Sequence, residues 1–207
     1  MLKHDELFAV FDRYGDIQPV GHGEQGIYYE GTRFLSRLEF RLGAGRPVLL
    51  DSEVKKDNVT LAVDLTNPDF YKGEELWLER DTLHVFRSVF LRNNICYQRF
   101  RFRAYSQRVI DIDVSFGFEA DYSDIFEVRG MKRKKRGKKL NAKIDSGSVC
   151  LGYEGLDRVK RTTQLLFSEN PGELSEKEAL FALKLKAGEV KDIVLMVICQ
   201  PHDFNNT

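Results

Sequence analysis

Residues 109–119 read Val-Ile-Asp-Ile-Asp-Val-Ser-Phe-Gly-Phe-Glu, and this stretch decides the class of fold. The even-numbered positions from Ile110 to Phe118 are apolar, whereas Asp111 and Asp113 lie between them. Because successive side chains of a β-strand point to opposite faces, this period of two predicts a strand with one buried and one solvated face.

The same alternation recurs along most of the chain. It predicts further strands at Phe34–Leu42, Val59–Leu65, Leu83–Leu91, Cys96–Ala104, Val149–Tyr153, Thr163–Phe167 and Phe181–Leu185. Ile193–Cys199 is apolar on both faces, which predicts a central strand. Turn sequences rich in glycine, proline and asparagine separate these runs, as in an antiparallel β-sandwich. We expect an all-β fold with at most one short helix, a single turn at Ser175–Leu180 that begins with a capping box.

Opposite charges predict how two of the strands pair. Arg101 and Arg103 face outward from one strand, and Asp111 and Asp113 face outward from the next. A three-residue loop would set Arg103 opposite Asp111 and Arg101 opposite Asp113, which satisfies both the pleat and the charges. We therefore expect Ile95–Glu119 to form a hairpin.

The composition excludes several classes of protein. The 207 residues include 32 Lys and Arg against 32 Asp and Glu, so the formal net charge is zero and any basic binding surface must be local. The longest apolar run, Ile193–Cys199, is far shorter than the roughly 20 residues that cross a bilayer. Charges interrupt every apolar stretch of residues 1–16, so we expect no signal peptide and a cytoplasmic location.

Cysteine and histidine spacing argues against a metal or a disulfide framework. Cys96, Cys150 and Cys199 are odd in number, far apart and set in apolar runs, which favours reduced thiols. The four histidines, including His22, show no metal-ligand spacing. We therefore expect neither a metal nor a cofactor.

An acidic cluster follows the deciding strand. Glu119, Asp121, Asp124 and Glu127 lie within nine residues, and two carboxylates about 5–10 Å apart would suit glycoside hydrolysis. The alternative is structural: Asp121 and Asp124 make hydrogen bonds within a turn, and Glu127 pairs with Arg129 or another basic residue. Spacing along a loop does not fix the separation of the carboxylates, so the structural alternative is preferred.

A basic run, Lys132–Lys139, holds seven basic residues in eight. It could bind phosphates in a strongly salt-dependent way, but no aromatic side chain interleaves with it to stack on bases. We prefer a solvated loop that bends at Gly130 and Gly137.

The segment Gln25–Ser36 combines aromatic, glycine and arginine residues in a way that could contact sugars. Tyrosine rings, or Trp77, could stack on a sugar, and Arg33 could donate to hydroxyls or to a carboxylate. The preferred alternative places Tyr28 and Phe34 in the core and ties Arg33 into an ion pair.

Four motifs, in this order, resemble the N-terminal domain of bacterial glycogen-debranching-enzyme-like proteins of the amylo-alpha-1,6-glucosidase type. They are Gly26–Arg37, Asn58–Pro68, Asp121–Gly130 with its basic tail, and Gly152–Leu156. The resemblance implies a large, supersandwich-like antiparallel β-sandwich over residues 1–207 that precedes a catalytic α/α toroid. A strand-rich chain of this length has no room for that toroid, so no catalytic residue is carried over to this sequence.

We therefore expect a non-catalytic domain that acts in α-glucan metabolism and supports the toroid, its partner in cis or in trans. Tyr29, Arg33, Asp124, Glu127 and Arg129 are the candidate substrate-binding residues at the rim of the cleft, because they combine ring faces with charged hydrogen-bonding groups. One alternative is a stand-alone module that binds an α-glucan or oligosaccharide. Another is a binder of nucleic acid or an anionic partner through the basic run, which we do not favour.

Overall fold

The computed structural model describes residues 1–19, 23–55 and 58–202; His22 lies outside these ranges. Within these ranges most residues lie in strands, and one short helix is found, α1 (Ile125–Val128). The strands are β1 (Leu2–His4), β2 (Leu7–Val10), β3 (Gly26–Tyr29), β4 (Thr32–Leu35), β5 (Arg37–Leu42), β6 (Val48–Val54), β7 (Thr60–Thr66), β8 (Phe70–Lys72), β9 (Glu75–Leu78), β10 (Leu83–Arg92), β11 (Ile95–Ala104), β12 (Ile110–Glu119), β13 (Lys138–Asp145), β14 (Ser148–Glu154), β15 (Lys160–Phe167), β16 (Glu173–Leu174), β17 (Glu178–Leu185) and β18 (Val190–His202).

The strands form antiparallel sheets of different sizes. The large sheet has eight strands in the order β13-β14-β15-β18-β11-β10-β7-β6, and a second sheet has the order β16-β17-β12-β5. Strands β1 to β4 form a sheet in chain order, and β8 pairs with β9 in a separate hairpin. Strand β18 lies inside the large sheet between β15 and β11, so the prediction of a central strand is confirmed.

Aromatic side chains from the two sheets meet in the core. Phe100 of the large sheet lies 4.9 Å from Phe40 and 4.9 Å from Phe116 of the second sheet, measured between ring centroids. Strand β12 buries Ile110, whereas Asp111 on its other face is exposed, as the alternation predicts. The sheets therefore pack face to face around one apolar layer, and the prediction of an all-β fold is confirmed.

The predicted hairpin of Ile95–Glu119 is wrong. Strand β11 pairs with β10 and β18, whereas β12 pairs with β17 and β5 in the other sheet. Two of these outward charges find partners in their own sheets: Arg101 forms two 2.8 Å hydrogen bonds to Asp192, and Asp111 lies 3.9 Å from Lys184. Both strands have an apolar face, so they face each other across the core instead of pairing edge to edge.

The single helical turn is also displaced from its predicted place. Ser175 accepts hydrogen bonds from the backbone N–H groups of Lys177 and Glu178, but this is a tight turn, and the strand β17 starts at Glu178. The capping box forms instead at Asp124 and Glu127, which begin α1.

One cluster of charges is buried within the core. The fully buried Arg87 side chain donates from Nη1 to Asp16 Oδ1 at 2.6 Å and from Nη2 to Gln98 Oε1 at 2.7 Å. Asp16 also accepts from Arg41 at 3.3 Å and from Arg46 at 3.1 Å. Every buried charge here has a partner of opposite sign, as burial requires.

Candidate functional site

The end of β12 leads into a charged segment that folds against β4. The Arg33 guanidinium binds both carboxylate oxygens of Asp121, with an Nε–Oδ1 distance of 3.0 Å, and Ser123 Oγ donates to Asp121 at 2.8 Å. Burial of the Asp121 carboxyl tends to raise its pKa, but these hydrogen bonds outweigh burial and leave the pKa below its usual value. Arg33 is thus held in a structural ion pair, as the preferred alternative predicted.

Asp124 and Glu127 hold the first turn of α1. Asp124 Oδ1 accepts from the backbone N–H groups of Phe126 and Glu127 at 2.8 and 2.9 Å, and Glu127 Oε2 accepts from the Asp124 N–H at 3.0 Å. The other Asp124 oxygen accepts from Arg133 Nε at 3.1 Å. Burial opposes ionisation of Asp124, but the hydrogen bonds from the helix and from Arg133 lower the pKa of this carboxyl.

The first half of the basic run folds back onto the acidic cluster. Arg136 Nε lies 3.1 Å from Glu127 Oε1, and Arg136 Nη2 donates to the Asp121 carbonyl at 2.7 Å. Arg133 and Arg136 therefore form local ion pairs, while Lys138 and Lys139 begin the edge strand β13. The prediction of a solvated loop from residue 132 to 139 holds for only part of the run.

Glycine and tyrosine fix the end of this segment to β14. The Gly137 N–H donates to the Tyr153 hydroxyl at 2.6 Å, and a Cβ on Gly137 would lie only 2.0 Å from the Glu154 carbonyl oxygen. The Tyr153 ring stacks on Tyr122 at a centroid distance of 5.3 Å. The backbone there comes too close to admit any side chain larger than hydrogen.

Sequence reasoning missed Tyr122, which has a left-handed backbone with a φ of +54°. Its buried hydroxyl lies 2.9 Å from the Leu151 carbonyl oxygen and 3.1 Å from Thr163 Oγ1, and burial raises its pKa. A bulky residue adopts this backbone only when its surroundings hold it there. No period or motif in the sequence marks such a position.

These elements line a cavity of about 280 Å³ at this end of the molecule. Three carboxylates face it, those of Asp124, Glu127 and Asp157, and each lies within 3.1 Å of an arginine nitrogen. Asp157 binds Arg161 at 2.8 Å, and this hydrogen bond lowers the pKa of Asp157 despite partial burial. Asp124 and Asp157, whose pKa values are lowered, thus favour their ionised forms, which suits them to accept hydrogen bonds rather than to protonate a leaving group.

The five predicted rim residues lie at several places around this end. Asp124 and Glu127 line the charged cavity, and Tyr29 lines an adjoining cavity of about 240 Å³ that shares Thr32 and Arg161 with it. Arg129 lines a third cavity of about 190 Å³ beside the Tyr28 ring. Arg33 lines neither of the first two cavities and forms an ion pair with Asp121. The charged cavity and the adjoining Tyr29 cavity together form a groove that contains Tyr29, Asp124 and Glu127, whereas Arg129 and Arg33 lie outside it.

The other aromatic candidates and the three cysteines lie outside the groove, apart from Phe34, which lines the Tyr29 cavity. Tyr28 and Phe34 are buried, as the preferred alternative predicted, and Trp77 packs against Phe70 with the Lys72 ammonium 4.4 Å from its ring. All three cysteines are free, with Cys150 only partly buried. Within residues 1–19, 23–55 and 58–202 no group of three metal-ligating side chains converges. Over the same residues, no helix has the length and hydrophobicity that crossing a membrane requires.

Known structures show the same fold at low sequence identity. A protein assigned as a kojibiose phosphorylase from the human microbiome superposes with a TM-score of 0.59 and 12% identity, over 88% of this chain and 27% of its own. A galactose mutarotase-like protein from Lactobacillus casei ATCC 334 gives a TM-score of 0.52 and 8% identity, over 96% of this chain and 99% of its own. This chain thus spans about a quarter of the first relative and nearly the whole of the second.

Sequence comparison identifies the family. No curated protein matches the chain. Residues 2–196 match the family described as the N-terminal domain of (some) glycogen debranching enzymes, and this range includes all four motifs on which the resemblance was based. The chain therefore belongs to the family of N-terminal domains of glycogen debranching enzymes.

Proposed function

We propose that this chain is a non-catalytic domain of a glycogen-debranching-like glycoside hydrolase and that it supports the catalytic α/α toroid in α-glucan metabolism. The observation that carries the proposal is the state of the carboxylates in the charged cavity. Asp124, Glu127 and Asp157 each bind an arginine, so none is arranged as the proton donor of a glycosidase pair. Free cysteines fit a reducing compartment, and we propose a cytoplasmic location.

The test is an assay of the purified chain on α-1,6-branched oligosaccharides and on limit dextrin. We expect no release of glucose above a blank without protein. Release that is abolished in the Asp124→Asn or Glu127→Gln variant would show that the acidic cluster is catalytic and would refute the proposal. Both substitutions nearly preserve the volume of the side chain. Circular dichroism spectra that match those of the parent chain would exclude misfolding as the cause of lost activity.

The groove next to the acidic cluster is where this domain would border a substrate. Tyr29 contributes an aromatic side chain, and Arg161 and the carboxylates supply hydrogen-bonding groups that suit sugar hydroxyls. The same groove favours a carbohydrate-binding module as the second candidate function. Titration of maltoheptaose into the labelled chain, followed by NMR, decides: shifts confined to the groove and absent in Tyr29→Ala support binding, and no shift at millimolar sugar removes this second candidate.

A further inference from the structure

The charged cavity carries more cations than its carboxylates neutralise. The charged residues that line it are the cations Arg133, Lys135, Arg136 and Arg161 and the carboxylates Asp124, Glu127 and Asp157. Each carboxylate is paired with one arginine. The fourth cation, Lys135, forms no ion pair with any of the described residues. The cavity therefore has a net positive charge.

Further cations lie next to this cavity. Lys132, Lys134 and Arg158 are each adjacent in sequence to a residue that lines it, and all three are exposed without an ion pair among the described residues. The adjoining Tyr29 cavity is balanced, because its charged residues are one carboxylate, Glu30, and one guanidinium, Arg161. Like charges along a cleft create a local field that attracts an anion, although the whole chain has no net charge. Within the groove, the excess of positive charge thus lies in the charged cavity.

The carboxylates and the excess cation favour two kinds of chemical group in one ligand. Ionised carboxylates only accept hydrogen bonds, so Asp124 and Asp157 favour a ligand with hydroxyl donors. An inorganic phosphate ion would meet the three carboxylates without offering the hydroxyl groups of a sugar ring. A neutral sugar would leave Lys135 without a counter-ion. A sugar that carries an anionic group satisfies both requirements.

The donors that remain free favour phosphate over carboxylate as the anionic group. Arginine recognises a carboxylate with its planar fork of N–H groups, but Arg133 already donates from Nε and Nη2 to Asp124. Arg161 likewise donates from Nη1 and Nη2 to Asp157. The Lys135 ammonium is a compact charge with three donors, which binds phosphate oxygens without a fork. The cavity of about 280 Å³ admits one small ligand, since pockets for drug-sized molecules span roughly 300–1,000 Å³.

We propose that the charged cavity binds a hexose unit that carries a phosphate monoester. The carboxylates accept hydrogen bonds from its hydroxyl groups, and Lys135 binds the phosphate. Lys132 and Lys134 raise the local concentration of the anion. The proposal rests on the second candidate function above, the binding of carbohydrate in the groove, and adds the charge of the sugar. It is independent of whether the chain supports a catalytic domain.

The test is an NMR titration of the isotope-labelled chain with glucose, glucose 6-phosphate and inorganic phosphate at one ionic strength. We expect glucose 6-phosphate to bind about tenfold or more tightly than either of the other two, because only this probe offers both hydroxyl groups and a sugar-linked phosphate. The shifts should concentrate at residues that line the charged cavity. Raising the NaCl concentration from about 50 to about 500 mM should reduce the preference, because salt screens the attraction.

Lys135→Gln should remove about fivefold or more of the preference for glucose 6-phosphate over glucose and leave glucose binding within about twofold. Lys135→Arg should keep the preference, because it keeps the charge. Lys186→Gln, which removes an exposed lysine from the turn after β17, serves as the matched control and should change neither affinity. Circular dichroism spectra that match those of the parent chain show that the variants fold.

Equal affinities for glucose and glucose 6-phosphate, or a preference that survives in Lys135→Gln, would overturn this proposal. Inorganic phosphate that binds as tightly as glucose 6-phosphate would also overturn it, because the sugar would then contribute nothing. Maltoheptaose shifts in the groove without a preference for the phosphorylated probe would refute only this proposal and leave the second candidate function standing. The absence of shifts with every probe would refute both.

Discussion

Replacing Asp16 by alanine should destabilise this protein more than any other single change to its buried charges. Asp16 is the only carboxylate bound to Arg87 among the described residues, and both side chains are at most 2% exposed. Without Asp16, the Arg87 guanidinium stays buried with only neutral acceptors, the Gln98 amide oxygen and the Tyr14 carbonyl. Removing one partner of a buried pair costs about 3–5 kcal/mol.

Arg87→Met should cost less, although it breaks the same bond. Asp16 keeps two partners in that variant, Arg41 and Arg46, whose side chains are 25% and 31% exposed. The carboxylate therefore remains paired near solvent, and methionine fills much of the space. We expect a loss of about 1–3 kcal/mol, chiefly from Gln98, whose oxygen loses both of its hydrogen bonds to Arg87.

Urea denaturation, followed by tryptophan fluorescence and circular dichroism, measures the free energy of unfolding of each variant. In a chain of this length, the Asp16→Ala loss corresponds to a fall of roughly 6–20 °C in melting temperature. The double variant should lose less than the sum of the single losses, because it leaves no unpaired arginine. A loss for Asp16→Ala that is equal to or below that of Arg87→Met would refute the reasoning.

Three further changes probe the charged segment. Asp121→Asn should lower stability at neutral pH. Because the folded pKa of Asp121 is depressed, the stabilisation by its carboxylate is present above the unfolded pKa and is lost as pH falls through the folded pKa. In urea titrations, the free energy of unfolding should therefore fall less between pH 5 and 3 for the variant than for the parent chain. Asp124→Ala should remove the helix cap at a cost of about 1 kcal/mol and speed tryptic cleavage after Lys134, as mass spectrometry would show. Tyr122→Phe should cost about 1–3 kcal/mol of unfolding free energy, because the Leu151 carbonyl and the Thr163 hydroxyl lose the Tyr122 hydroxyl that they share, and an unchanged denaturation midpoint would contradict this.

Strand positions could be predicted from the sequence where a strand has a core face, as most strands of the two main sheets do, whereas the edge strands β6 and β13 bury no side chain. The alternation that predicts β12 also predicts β10, β11 and β17, and each of them lines the core. Pairing could not be predicted in the same way. The charges on β11 and β12 fit each other as well as they fit their true partners, so the rule of opposite charges admits more than one arrangement. The strands instead lie in opposing sheets, where Phe100 of β11 packs on Phe116 of β12 across the core.

The two candidate capping boxes show how neighbouring residues decide local structure. Ser175 and Glu178 have the required spacing, as do Asp124 and Glu127. After Glu178, every second side chain from Ala179 to Leu185 is apolar and buried, so burial in β17 outweighs one helical turn. After Asp124 no such alternation follows, and the cap forms. The candidate site was harder to predict, because its geometry depends on residues that no motif marks, above all Tyr122.

Three of the four motifs on which the family resemblance is based meet at one structural junction. Arg33 comes from the first motif, Asp121 and Ser123 from the third, and Tyr153 from the fourth, and hydrogen bonds or ring contacts connect them all to the segment that carries Arg136. Side chains occupied in this way are poorly placed to turn over a substrate, but they give the groove beside them a fixed shape. The residues that make this chain recognisable therefore fix the shape of this surface, as the proposed supporting role would require.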